Sequence, residues 1–312
     1  MNIKKVGLTA LAASLVSVSA YAGEMSVSGG ASIGLKNTEK TSTGKSWTMG
    51  NQLTFSGSGE LDNGMNVSLS FVLDQDDDTT QSEAKREENS PFDSHSVTVS
   101  SDALGSLVFS GEGGSSAQSA IDTTAAGDAW DNGSGFTTPK SSEAGNNSMV
   151  YTLPSLMDDL TLVGSYSPGS AGGPSATAFR VGFTGVEGLS LDFAEGQIET
   201  VGSEADLTTM KASYAISSFT LSASETEYDA ASGDETVESY NIAYTVSDDL
   251  SIAYGTETIE TQGSSVDEEA EKLNVSYTTG GVTVSATQYN FEGSGNIAGA
   301  AGETSRWALS AT

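Results

Sequence analysis

The sequence contains no cysteine, one histidine, five prolines among 312 residues, and 12 Lys+Arg against 42 Asp+Glu. Without cysteine there is no disulfide framework, no thiolate metal site and no cysteine nucleophile. The formal net charge of −30 excludes non-specific nucleic-acid binding, which needs a basic surface. Scarce proline and a charged fraction of 17% fit disorder poorly. Past the extreme N-terminus, no apolar run reaches the ~20 residues of a membrane-crossing helix. Glycine, by contrast, is abundant at 36 residues, the composition of many strands joined by tight turns. A single all-β domain can be this long.

The first 22 residues read as a secretory signal peptide. Lys4 and Lys5 form a positive start, Val6 to Val18 is apolar, and Ala20-Tyr21-Ala22 is a small-x-small cleavage pattern. Cleavage near Ala22 removes two lysines and no acid, so the mature chain, 23–312, carries −32.

From there apolar residues occupy every second position. Met65, Val67, Leu69, Phe71 and Leu73 alternate with Asn66, Ser68 and Ser70; Leu273, Val275 and Tyr277 alternate with Lys272, Asn274 and Ser276. Period two means strands with one apolar and one polar face. Segments of about ten residues recur, and their connections alternate short and long. The short ones are 62–64, 103–105, 155–158, 186–188, 217–218, 247–249 and 279–280. The longer ones fall near 36–45, 75–91, 112–147, 169–175, 200–205, 229–235, 261–268 and 292–303. Seven turns and eight loops predict sixteen strands in an up-and-down meander.

Such strands could build a soluble sandwich or propeller. Two properties favour a transmembrane antiparallel β-barrel. The strands have the length that crosses a bilayer when tilted, and the polar face is Ser, Thr, Asn and Gly opposite uninterrupted Val, Leu, Phe, Tyr and Met. A closed barrel puts the apolar face against lipid and the polar face around water. Aromatics at strand ends, namely Trp47, Tyr151, Tyr166, Phe183, Tyr214, Tyr240, Tyr289 and Trp307, fit interfacial belts.

Three stretches carry a resemblance to a known family. They are Leu53–Met65 (LTFSGSGELDNGM), Asp93–Val99 followed by Leu104–Gly111 (DSHSVTV, LGSLVFSG), and Asn147–Pro154 (NSMVYTLP). In content and order they resemble the general diffusion porins of Gram-negative outer membranes. The resemblance implies a sixteen-stranded barrel, usually a homotrimer surrounded by lipid and lipopolysaccharide, admitting small hydrophilic solutes and ions. It also implies a third loop folded into the pore, and 112–147 is the longest loop here. There are two departures. The chain stops at Ala311-Thr312 where the family usually ends on an aromatic, and Arg306–Thr312 is short for a spanning strand, as in a sequence cut short. The third loop has Gly133-Ser134-Gly135-Phe136 where enterobacterial porins have Pro-Glu-Phe-Gly-Gly.

Selectivity in such a pore follows the charge lining its constriction. The third loop holds Glu112, Asp122, Asp128, Asp131 and Glu143 against Lys140 alone, which predicts an acidic, cation-preferring constriction. Arg180, Lys211, Lys272 and Arg306 have the parity opposite to their apolar neighbours. They are therefore expected to point inward, and the resemblance implies that bases facing the acids would set a field across the opening. The family's basic cluster, however, lies on the first strands. Here those inward positions are Ser26, Ser28, Ser68, Ser70, Ser96 and Thr98.

Asp74, Asp76 and Asp78 have the spacing of the first half of a calcium loop. Thr79 and Lys85 stand where that loop needs Gly and Glu, so an EF-hand is excluded and only loosely bound Ca²⁺ or Mg²⁺ remains open. No cofactor is expected. Gly30-Ala31-Ser32-Ile33-Gly34 matches Gly-x-Ser-x-Gly, but Ser32 lies mid-strand and the single His95 shares the outward parity of Val97 and Val99. The nucleophile elbow needs a strand-turn-helix and a histidine partner, so an enzyme is not expected. Two alternatives to the general porin are a secreted, acidic, adhesin-like β-protein and a substrate-specific porin.

Overall fold

The computed structural model describes residues 25–38, 45–74, 93–142, 147–169 and 173–312. The expected signal peptide, most of the second loop with Asp76 and Asp78, and Glu143 lie outside these residues. Sixteen strands follow one another: β1 (Met25–Thr38), β2 (Lys45–Glu60), β3 (Asn66–Asp74), β4 (Ser94–Ser101), β5 (Gly105–Glu112), β6 (Ser148–Thr152), β7 (Leu160–Ser167) and β8 (Ser175–Val186) in the first half. The second half is β9 (Leu189–Thr200), β10 (Ser203–Ile216), β11 (Phe219–Ala230), β12 (Glu235–Ser247), β13 (Leu250–Thr261), β14 (Glu268–Thr279), β15 (Val282–Glu292) and β16 (Thr304–Ala311). Each pairs antiparallel with its neighbours, and β16 closes the barrel on β1, from Ile33↔Ala311 to Thr38↔Arg306. The short C-terminal segment is therefore long enough to seal the ring.

The connections match the expected rhythm with two corrections. The expected short turn at 155–158 is a connection of seven residues, 153–159, between β6 and β7. The stretch 200–205 is not a longer loop: β9 runs straight into β10 through Val201-Gly202, with Gly202 at φ 82°. The turn between β14 and β15 is Gly280-Gly281, both at positive φ, the conformation that a two-residue hairpin turn of matching twist requires.

Register confirms the two faces. Val27↔Phe55 and Phe55↔Phe71 stack outward, while Ser28↔Thr54 and Ser56↔Ser70 stack inward. Outward Leu221, Ile242, Tyr254 and Tyr240 are about half exposed, apolar surface that only lipid can cover.

Two features depart from the sequence reading. The wall is uneven: β3–β7 have 5–9 residues, whereas β8–β15 have 11–14. And neither face of the long strands is uniform. Towards their loop ends the outward positions turn acidic, as in Glu195, Glu225 and Glu271. The inward positions there become apolar and buried, with Leu207, Val237, Ile259 and Phe291 each 4% exposed or less. Tyr289, expected in an interfacial belt, points inward: it pairs with Arg306, is buried, and stacks on Phe291.

Candidate functional site: the constriction loop and its wall

The connection from β5 to β6, the third loop, fills the space beneath those buried apolar positions. Its backbone groups need partners, and inward side chains of the barrel wall supply them. Ala117, Ala125 and Ala126 donate their N–H groups to the hydroxyls of Ser165 on β7, Ser224 on β11 and Ser239 on β12 (2.8–2.9 Å).

Three wall carboxylates do the same. Glu257 accepts the Trp130 N–H at 2.8 Å and the Thr124 hydroxyl. Glu268 accepts the N–H groups of Thr137 and of Gly295 in the last loop, both at 2.8 Å. Glu235 accepts the Lys140 N–H at 2.8 Å. All three glutamates are buried.

Packing completes the attachment. Phe136 meets Phe291 edge-on at 5.2 Å between centroids, sealing a cluster with Ala129, Ala270 and Tyr289. Two wall glycines leave room for the loop. A Cβ on Gly255 would lie 2.6 Å from the Ala126 Cβ, and one on Gly196 would lie 2.7 Å from the Ser142 side chain. Within the loop, Gln118 is fully buried; it donates to Thr209 on β10 (2.8 Å) and accepts the Ser142 N–H (2.9 Å).

The expected bases all point inward. Lys211 donates to the Thr123 carbonyl, Lys272 to those of Ala126 (2.8 Å) and Gly127 (3.3 Å), and Arg306 to that of Asn132 (3.3 Å). Arg180 instead pairs with Asp192 on β9 at 2.6 Å. Three of the four bases are thus gathered against the loop.

The expected acids separate. Asp131 is exposed on a short 3₁₀ turn. Asp128, in the left-handed region at φ 49°, accepts the Thr124 N–H (3.0 Å). Asp122 is held above the usual aspartate range, chiefly by burial and further by nearby Asp128, against the lowering effect of a Ser141 hydrogen bond and of Lys211. Glu112 sits at the loop's root, 4.0 Å from the His95 ring, away from the docked segment. Asp74 ends β3; among the described residues no three metal-binding side chains gather.

Sequence reasoning missed the anchors Glu235, Glu257, Glu268, Ser224 and Ser239. Their signal was present: carboxylates and apolar residues interrupt the Ser/Thr inward face at one end of consecutive strands.

A closed, lipid-facing barrel with an internal loop narrowing its lumen defines a channel of the outer membrane. The sequence matches the Gram-negative porin family over residues 7–312, and the chain belongs to it. Solved structures agree on the fold. A loop-deletion mutant of OmpT from Vibrio cholerae is 15% identical, covers 92% of this chain and 98% of its own, and has a TM-score of 0.68. A mutant of the Rh. blastica porin is also 15% identical (coverage 92% and 99%, TM-score 0.67). The anion-selective porin from Comamonas acidovorans is 14% identical (coverage 92% and 98%, TM-score 0.61). No curated protein matches the sequence.

Proposed function

We propose that this porin conducts small hydrophilic solutes and ions down their gradients with a preference for cations. What supports this reading is the docked third loop, which carries Asp122, Asp128 and the exposed Asp131. Fixed negative charge in a narrow aqueous path raises the local cation concentration and repels anions. The anion-selective relative shares the fold, so the sign of selectivity is set by side chains and not by the barrel. Conductance steps in a planar bilayer under a salt gradient test this. A cation-selective reversal potential is expected, and an anion-selective one overturns the preference.

We further propose a homotrimer, exported by cleavage near Ala22 and embedded in lipopolysaccharide. The outward faces of β16 and β1–β4 carry no acid among the described residues, whereas those of β9–β15 carry many, Glu204, Glu227 and Glu269 among them. A like-charged collar opposes packing between copies, so the acid-free sector is the one suited to meet a second copy. A trimer form is recorded for OmpT of Vibrio cholerae. Cross-linking through Cys introduced at Val27 should give trimers; cross-links through Glu227→Cys instead would reverse the assignment. Loosely held Ca²⁺ or Mg²⁺ at the acidic surface belongs to the same reading.

A further inference from the structure

We infer that the outer surface of β9–β14 is built for a thin hydrocarbon layer, about 15 Å deep, and so selects lipids with short acyl chains. This rests on the reading above that copies meet through β16 and β1–β4, which leaves β9–β14 to lipid.

Four of these strands reach an outward acid at the same distance from the short turns. On β9, Leu189, Leu191 and Phe193 are followed by Glu195; on β11, Phe219, Leu221 and Ala223 are followed by Glu225. On β12, Tyr244, Ile242 and Tyr240 lead to Glu238; on β14, Tyr277, Val275 and Leu273 lead to Glu271. Each run is six residues from its lowest apolar side chain to its first carboxylate. A strand rises ~3.3 Å per residue and tilts about 40° in such a barrel, so six residues climb about 15 Å.

The neighbouring strands continue the polar row. Thr208 on β10 pairs with Glu195, Thr256 on β13 pairs with Glu271, and Glu225 lies directly opposite Glu238. Asn290 on β15 donates to Glu271 (3.3 Å), and the Tyr254 hydroxyl donates to the same carboxylate at 2.8 Å from the apolar side. A single acid can bend its side chain out to water, but directly opposed carboxylates repel, and hydrocarbon would strengthen that repulsion. A polar row shared by seven strands therefore marks the edge of the hydrocarbon.

The far side of the ring is different. β1 is eight strands from β9, and its outward positions from Met25 to Leu35 (Val27, Gly29, Ala31 and Ile33 between them) carry no polar side chain. On β2, Trp47 pairs with Leu35, and Asn51 is the one polar outward residue between Trp47 and Phe55. The ten residues from Met25 to Leu35 climb about 25 Å, the ordinary height of the apolar band on such a barrel. One flat bilayer cannot match both heights, and a rigid tilt moves the bands without equalising them. A band shorter than the surrounding hydrocarbon is met by thinning of the bilayer or by shorter chains gathering at the protein. With the tall sector turned to other copies, lipid meets only the short one.

Nitroxides attached to Thr208→Cys, in the polar row, and to Ala223→Cys, below it, test this in the full-length protein. Accessibility to oxygen and to a nickel chelate gives the depth of each label in dilauroyl and in dioleoyl phosphatidylcholine vesicles. The Thr208 label should lie at headgroup level in both lipids, and the Ala223 label in hydrocarbon. Fluorescence of Leu221→Trp, read against wild type, with bromine on one of two competing lipids, should show the dilauroyl lipid favoured at least about threefold. In Glu225→Leu/Glu238→Leu that preference should fall to less than half. A Thr208 label sunk in dioleoyl hydrocarbon, equal affinity for the two lipids, or an unchanged preference in the double variant would each overturn the inference while β9–β14 remain the lipid face. Shielding of the Ala223 label from lipid-borne oxygen would show another copy on this face, and would remove both the arrangement of copies and the inference. Should the double variant not fold, the depth of Thr208 and the lipid competition decide alone.

Discussion

The Glu257 carboxylate and the Trp130 N–H are 2.8 Å apart, joining β13 to the third loop across 127 positions of sequence. The same carboxylate accepts the hydroxyl of Thr124, which precedes the short 3₁₀ turn that contains Trp130. One wall residue thus fixes both ends of the segment that bears Asp128. With Glu235 and Glu268 it distributes the attachment over three strands, so the loop's position depends on the barrel being closed.

Replacing Glu257 should therefore free the loop without opening the barrel. Glu257→Ala leaves the Trp130 N–H and Thr124 hydroxyl without their partner, a loss of about 1–3 kcal/mol for each buried group left unpaired. Single-channel records should show larger and noisier conductance, with the heat-stable folded form retained on gels. Glu257→Gln keeps one acceptor oxygen and should fall between the two.

Filling the gap at Gly255 should act in the opposite sense. Its absent side chain is where Ala126 rests, with a new Cβ only 2.6 Å from the Ala126 Cβ. Gly255→Val pushes the loop into the lumen, and such overpacking costs about 1–3 kcal/mol. Lower single-channel conductance is expected, and an unchanged conductance would show that the loop does not border the path.

Removing Phe291 should weaken the cluster beneath the loop. This ring is 2% exposed and packs against Phe136 and Tyr289. Large-to-small replacement of a buried aromatic costs about 3–5 kcal/mol, so Phe291→Ala should lower the temperature at which the barrel unfolds in detergent.

Cation preference should decline on acidification before ordinary carboxylates titrate. Burial raises the Asp122 pKa, so this residue loses its charge before an ordinary aspartate does as the pH falls. The folded protein takes up that proton more readily than the unfolded chain does. Asp122 therefore favours folding at low pH, and that contribution is lost as pH rises from the ordinary aspartate range through the raised value. In Asp122→Asn the early part of the decline in permeability ratio should be missing.

The barrel was legible because it is a local pattern repeated. Alternation at Met65–Leu73 or Leu273–Tyr277, punctuated by turns such as Asp62-Asn63-Gly64, specifies a strand, its two faces and its neighbour with no long-range information. The inward parity of Arg180, Lys211, Lys272 and Arg306 followed from the same period. What misled was applying that period uniformly. Tyr289 looks like an interfacial aromatic until its face is fixed by the Arg306 pairing, and Val201-Gly202 looks like a loop until β9 and β10 are seen to continue into it.

The sequence by itself determined that this chain is a sixteen-stranded membrane barrel with an acidic third loop, because strand period, turn residues and charge are properties of adjacent positions. Only the tertiary structure decided where that loop lies and what its neighbours do. Glu257 reaches Trp130, and Lys272 reaches Ala126, across more than a hundred positions. A segment without period takes its course from whichever wall groups satisfy its backbone, and ring closure alone brings those groups together.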